Sequence, residues 1–251
     1  MKIMNRIHEK ANDNANKPGV TIAFLGDSVT QGCFELYKKS DGSIETVFDK
    51  THAYHTYLNR ILSLLYPSVP INIINAGISG DDATHGFERL ERDVLRYSPD
   101  LVVVCFGLND AMAGLSGISQ YKAALKNIFL TLQKETIETI FMTPNMMNTY
   151  VSSGITDADC RAIAEASQSV QNSAVLEKYL SEAHSLCIEY NIPVCDCYLK
   201  WKQLYENGVD TTMLLANRIN HPVRKMNWLF AVSLVETMMN LIIHNTEGRK
   251  K

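Results

Sequence analysis

The stretch "GVTIAFLGDS", residues 19–28, decides the fold. Residues 20–25 ("VTIAFL") are a continuous apolar run that halts at Gly26-Asp27-Ser28. A short run rich in β-branched residues, with no polar alternation, reads as a strand buried on both faces. Four more runs read the same way: "INIINA" (71–76), "LVVVCF" (101–106), "TIFMT" (139–143) and "IPVCDC" (192–197). Helical patterns lie between them. "YHTYLNRILSLLY" sets Tyr54, Leu58, Ile61, Leu62 and Leu65 on one stripe, and "YKAALKNIFLTLQKE" does so with Leu125, Ile128, Phe129 and Leu132. "VLEKYLSEAHSLCIEY" and "MNWLFAVSLVETMMNLII" continue the series, and Trp228 reads as core on the last helix. Strand–helix alternation of this kind predicts a parallel sheet with helices on both faces.

In an open sheet of this class, ligands bind beyond the carboxyl ends of the strands. The residues there are Gly26-Asp27-Ser28, Gly77-Ile78-Ser79-Gly80-Asp81, Gly107-Leu108-Asn109-Asp110 and Pro144-Asn145. All four loops are small or polar, which predicts a site at one edge of the sheet. Ser28 has two readings at this point. Its hydroxyl caps the next helix, or it is a nucleophile presented at the strand end.

Length and composition limit the alternatives. The chain has 251 residues, 46% of them hydrophobic and 20% charged, with a formal net charge of −3. That fits one α/β domain over residues 18–251, preceded by a loose polar lead-in over 1–17. No basic stripe is present, so nucleic acid is not an expected partner, and the basic "GRKK" end reads as a solvated tail. No apolar stretch reaches the ~20 residues needed to span a bilayer. The first residues lack a secretory h-region, which gives a cytoplasmic expectation. Six cysteines lack zinc-finger spacing, so no metal is expected and the thiols read as reduced. "MNTYVSSGITDADCRA" (147–162) is the longest irregular stretch and reads as a lid or substrate loop.

A serine alcohol is a poor nucleophile until a base takes its proton, and acyl transfer creates an oxyanion that needs aimed donors. Gly80 can offer a backbone N–H at close approach, Asn109 an amide N–H, and Ser28 its own N–H. Of the seven histidines, His52, His55 and His85 stand at helix starts, His184 and His244 inside helices, and His8 in the lead-in. His221 is set apart in the polar loop "NRINHPVRKMNW", with Pro222 placed to start the last helix.

These blocks together resemble the SGNH (GDSL) hydrolases, a family named for its Ser, Gly, Asn and His. The matching residues are Ser28 in "FLGDSVTQG", Gly80 in "NAGISGDDATHG", Asn109 in "FGLND" and His221 in "INHP". The resemblance spans residues 20–230. It implies a three-layer α/β/α, flavodoxin-like fold with a five-stranded parallel sheet, and cofactor-free ester hydrolysis. Ser28 would attack the ester, and Ser28 N–H, Gly80 N–H and the Asn109 amide would form the oxyanion hole.

One position departs from the family. Where D-x-x-H-P carries an aspartate, this chain has Arg218, and a guanidinium cannot accept a hydrogen bond from imidazole. A main-chain carbonyl near Arg218, or a carboxylate such as Asp196 or Asp210, would orient His221; otherwise activity has been lost. The expected function is hydrolysis of a small-molecule or carbohydrate ester. Asp27, Asn145 and Arg218 are candidate substrate contacts, although Asp27 and Asp110 also read as loop-holding groups. Polar Asn145, Asn148, Thr149 and Tyr150 lean toward short acyl groups such as acetyl on a sugar. A decayed hydrolase that binds a sugar or acyl ligand is the alternative. A nucleotide-binding domain fits poorly, because G-x-G-x-x-G and P-loop patterns are lacking.

Overall fold

A computed structural model describes residues 1–246; the "GRKK" stretch and the side chain of His244 lie outside the described residues. Five parallel strands form the central sheet: β1 (Val20–Gly26), β4 (Ile71–Gly77), β5 (Leu101–Cys105), β6 (Glu138–Met142) and β7 (Val194–Cys195). Their order is β4-β1-β5-β6-β7, which is the flavodoxin-like arrangement with a switch point between β1 and β5. Helices cover both faces, making a three-layer α/β/α domain. β5 is wholly buried and β1 nearly so, as their continuous apolar sequences require. β4 is an edge strand: Asn72 and Asn75 are exposed, so its sequence is less apolar than that of β1.

The helix Ile118–Lys134 buries the expected stripe of Leu125, Ile128, Phe129 and Leu132, with Tyr121 and Ala124. Along Tyr54–Leu65, Tyr54, Leu58 and Leu62 are buried, but Leu65 is exposed. Trp228 is a correction. It is 41% exposed and stacks on the ring of Tyr57 at 4.4 Å rather than entering the core.

The N-terminal lead-in is also corrected. Residues Lys2–Asn12 form a helix that buries Ile3, Met4 and Ile7 in the main core. Its first N–H groups are capped from a distance: Glu138 Oε1 and Oε2 accept from Lys2 N and Ile3 N, both at 2.8 Å. A carboxylate there satisfies orphan donors and complements the helix dipole. The helix is polar on its outer face, and that masked its apolar stripe in the sequence.

Two further elements were not expected. β2 (Cys33–Lys38) and β3 (Ile44–Phe48) form an antiparallel hairpin outside the main sheet. The second half of the anticipated loop is helical: Ala158–Asn172 is a helix capped by Asp157, which accepts from Asp159 N and Cys160 N. The loop's first half is not a free lid, since Met147 and Asn148 are fully buried. All six cysteines are free thiols. Among the described residues, no helix is long and apolar enough to cross a membrane.

Candidate active site

The turn after β1 answers the question raised by Ser28. Asp27, not Ser28, caps the short helix Ser28–Gln31, its Oδ1 accepting from Val29 N at 2.9 Å. The Ser28 hydroxyl is therefore not spent on a cap. It lies 2.9 Å from Nε2 of His221. Gly26 is required immediately before: an added Cβ would come within 2.7 Å of the Cys105 carbonyl oxygen. β1 and β5 approach too closely there for any side chain.

His221 is held on both ring nitrogens. Its Nδ1 is 2.9 Å from the main-chain carbonyl oxygen of Phe34, on β2. A carbonyl only accepts, so the proton resides on Nδ1, and Nε2 is left with a lone pair toward the serine O–H. Burial lowers the His221 pKa from 6.5 to about 4; the Phe34 carbonyl and the charge of Glu35 oppose that shift without reversing it. The ring is thus neutral over a wide pH range.

A network of amides holds the loop that carries His221. Oδ1 of Asn217 accepts from the N–H groups of Ile219, Asn220 and His221 at 3.0, 2.9 and 2.9 Å. Asn145 is fully buried, and its Nδ2 donates to Asn220 O and Met146 O, both at 2.8 Å. The backbone of Asn148 donates to Ile219 O at 2.8 Å. Asn145 therefore supports the loop beside His221.

Arg218 turns away from that ring. It adopts φ +59°, and its Nη1 donates to Leu215 O at 2.8 Å and to Met213 O. The carbonyl that meets His221 is the one of Phe34, remote in sequence from the region near Arg218 where it was expected. Neither alternative carboxylate takes its place. Asp196 accepts from Thr143 Oγ1 and Leu199 N, and Asp210 from the Tyr150 hydroxyl and Met213 N.

Gly80 has φ +81°, and nothing lies within 4 Å of where its Cβ would be, so its turn opens to solvent. Two bonds fasten that turn. Ser79 N donates to Gln31 Oε1 at 2.7 Å, tying it to the helix that begins at Ser28. Asn109 Nδ2 donates to Asp81 O at 2.7 Å, tying it to the loop after β5. One of the two Asn109 amide hydrogens is thereby used and the other remains. Buried Arg89 completes the edge, donating to Gly26 O at 2.9 Å, to Ala76 O at 2.6 Å and to Asp81 Oδ2 at 2.5 Å. Arg89 escaped the sequence reading because a lone arginine in a polar helix reads as surface.

Asp27 and Asp110 are both buried, and burial raises the pKa of each to about 7. Asp110 Oδ1 accepts from Ala83 N at 2.9 Å, which steadies the helix after the Gly80 turn. Both carboxylates hold loops. A surface groove of about 820 Å³ lies beside Thr149 and Tyr150, with Tyr205 and Asp210 in its walls, but it includes neither Ser28 nor His221. The Ser28–His221 pair lies outside that groove.

A serine paired with a neutral histidine at the switch point of a flavodoxin-like sheet defines a class: α/β/α domains with a serine–histidine site at the strand ends. The chain belongs to the GDSL-like lipase/acylhydrolase family, whose pattern it matches over residues 24–227. It is 28% identical over 135 residues to an acetylxylan esterase of Geobacillus stearothermophilus; the match covers 50% of this chain and 60% of that protein. The solved structure of an acetylxylan esterase from Geobacillus stearothermophilus superposes with a TM-score of 0.64 at 20% identity, covering 88% of this chain and 95% of that one. The acetyl xylan esterase AlAXEase gives a TM-score of 0.64 at 19% identity, covering 88% of this chain and 100% of that one. At these identities the superpositions speak for the fold.

Proposed function

We propose that the protein hydrolyses carboxylic esters with Ser28 as nucleophile and His221 as general base. The Ser28 Oγ–His221 Nε2 distance of 2.9 Å, with Nδ1 committed to the Phe34 carbonyl, carries this reading. Nε2 takes the serine proton as Oγ attacks the ester carbonyl carbon. The resulting oxyanion is met by the N–H groups of Ser28 and Gly80 and by the free Asn109 amide hydrogen. Collapse expels the alcohol, which receives the proton from Nε2. Water, deprotonated by the same nitrogen, then cleaves the acyl-enzyme and restores Ser28.

The substrate we favour is a short acyl ester, acetyl on a carbohydrate. Its support is the likeness to an acetylxylan esterase. A fluorophosphonate probe should label Ser28 in the folded protein. A series of p-nitrophenyl esters should give its highest kcat/KM at acetate or butyrate. A maximum at octanoate or longer would overturn the short-acyl assignment. Absence of labelling would favour a protein that binds such a ligand without cleaving it.

A further inference from the structure

We propose that Arg224 is a positioning residue for His221, acting through the backbone carbonyl that orients the imidazole. The inference rests on the reading of His221 as the base. The Phe34 carbonyl belongs to β2, which among the described residues pairs only with β3, and that pairing slips between Cys33 and Leu36. Cys33 faces Phe48 and Leu36 faces Thr46, so Phe34 and Glu35 together oppose a single residue. This is a β-bulge. A bulge releases a backbone group from its ladder and re-aims it, which is what a carbonyl needs in order to face a side chain. Phe34 thus sits where the pairing of the two strands is irregular.

Arg224 restrains the bulge from outside the ladder. Its guanidinium lies over the Phe34 ring, with Cζ 4.3 Å from the centroid. Nη1 and Nη2 donate to the two carboxylate oxygens of Glu35 at 2.6 and 3.1 Å. Nε donates to Asp49 Oδ2 at 2.8 Å, just past the end of β3. One planar fork from the segment that carries His221 thus grips the bulge on β2 and the chain just past β3. A bidentate, stacked guanidinium fixes orientation in a way that an ammonium cannot. Ion pairs this exposed contribute little to stability, so the geometric role is the one such a cluster can serve.

The consequence is chemical. Without the carbonyl partner, imidazole no longer favours the Nδ1–H form, and any Nε2–H fraction cannot accept the serine proton. Arg224→Ala should lower kcat for p-nitrophenyl acetate by ~10–100-fold, as loss of a partner that orients a metal-bound histidine typically does. KM should change by less than ~2-fold, because Arg224 touches no part of the proposed oxyanion hole. Long-range ¹H–¹⁵N spectra of ¹⁵N-histidine-labelled protein should show His221 as the Nδ1–H form in the native chain and a mixture in the variant. Arg224→Lys should remain impaired in both readouts, whereas Arg161→Ala, which removes an exposed charge elsewhere, should be silent in both. Native kcat in folded Arg224→Ala overturns the proposal, as does a fall in kcat with an unchanged Nδ1–H signal. If Arg224→Ala folds poorly by circular dichroism, Glu35→Ala removes the bidentate partner while leaving the Asp49 contact, and the same two changes are required of it. His221→Asn separates this inference from the one beneath it. Retained activity there would refute the base assignment itself, while loss there with a silent Arg224→Ala would refute only the positioning role.

Discussion

The acid limb of the pH–rate profile is the sharpest consequence of the site. As the proposed base, His221 would have to be neutral to take the serine proton, and burial lowers its pKa to about 4 from 6.5. At pH 5.5 a group with pKa 4 is roughly 97% neutral, whereas one with pKa 6.5 is roughly 9% neutral. The structure therefore predicts that kcat/KM at pH 5.5 stays near its value at pH 7.5, where an ordinary histidine would have lost about tenfold. Stability has to survive the same range. His221 and His55, both buried and lowered to about 4, bind protons below 6.5 only when unfolded. Each therefore removes stability as pH falls from 6.5 to 4, roughly 3 kcal/mol per group. Asp27 and Asp110, raised to about 7, act with opposite sign. Their contribution is full below the unfolded pKa of 3.8 and is lost as pH rises toward 7, by a similar amount each. The two effects offset each other, so the fold should persist to about pH 5 and the assay should be readable there. The measurement is kcat/KM for an acetyl ester from pH 4 to 8, with circular dichroism at each point. A half-maximum between pH 6 and 7 would refute the reasoning, unless Asp27→Asn abolished that limb and so assigned it to the carboxylate beside Ser28.

Substitutions test the rest of the site. Ser28→Ala should abolish turnover and fluorophosphonate labelling while leaving the thermal midpoint nearly unchanged, since only a hydroxyl bonded to His221 is removed; residual turnover near native would sink the nucleophile assignment. Asn109→Ala should lower kcat by ~10²–10³, the loss typical of one oxyanion donor, and near-native kcat would remove Asn109 from the oxyanion hole. Arg218→Ala should change kcat by less than ~10-fold and cost about 1 kcal/mol of stability through the lost bonds to Leu215 O and Met213 O, read by urea denaturation. A collapse of activity in folded Arg218→Ala would mean that the guanidinium meets substrate.

The sheet was legible because its strands carry their burial in their sequences. β1 and β5 are continuous apolar runs, and each ends where the structure ends it, within a residue or two. The helix Lys2–Asn12 was not legible, because Ile3, Met4 and Ile7 are outnumbered by charged and amide residues. The helix Ala158–Asn172 buries only Ala164, Ser167 and Gln171, small or polar residues that leave almost no periodic apolar signal. The hairpin had a signal that went unused. "FELYKKSDGSIETVF" carries alternating residues around an Asp-Gly turn, but strand–helix alternation on either side drew the reading past it.

The same hairpin explains why the site was only half legible. Ser28, Gly80, Asn109 and His221 are visible as candidates in the sequence because the proposed chemistry asks for a particular side chain or a bare backbone at each. The partner of His221 does not, because it is a main-chain oxygen, and any residue at position 34 would present one. What selects it is the bulge between Cys33 and Leu36, together with the groups that hold the bulge. The exchange of a carboxylate for a carbonyl also has an energetic side. A buried aspartate beside His221 would favour the imidazolium and raise its pKa. A neutral carbonyl does so only weakly, and the buried ring keeps its low pKa. Under the proposed mechanism, the cost would fall on the imidazolium formed during attack, which would lack the stabilisation an adjacent carboxylate gives. The charge of Glu35, on the next residue along β2, favours a protonated His221 only weakly against the effect of burial. Arginine at position 218 is then compatible with the site, because the position no longer faces the imidazole and its guanidinium closes the loop on the carbonyls of Met213 and Leu215 instead.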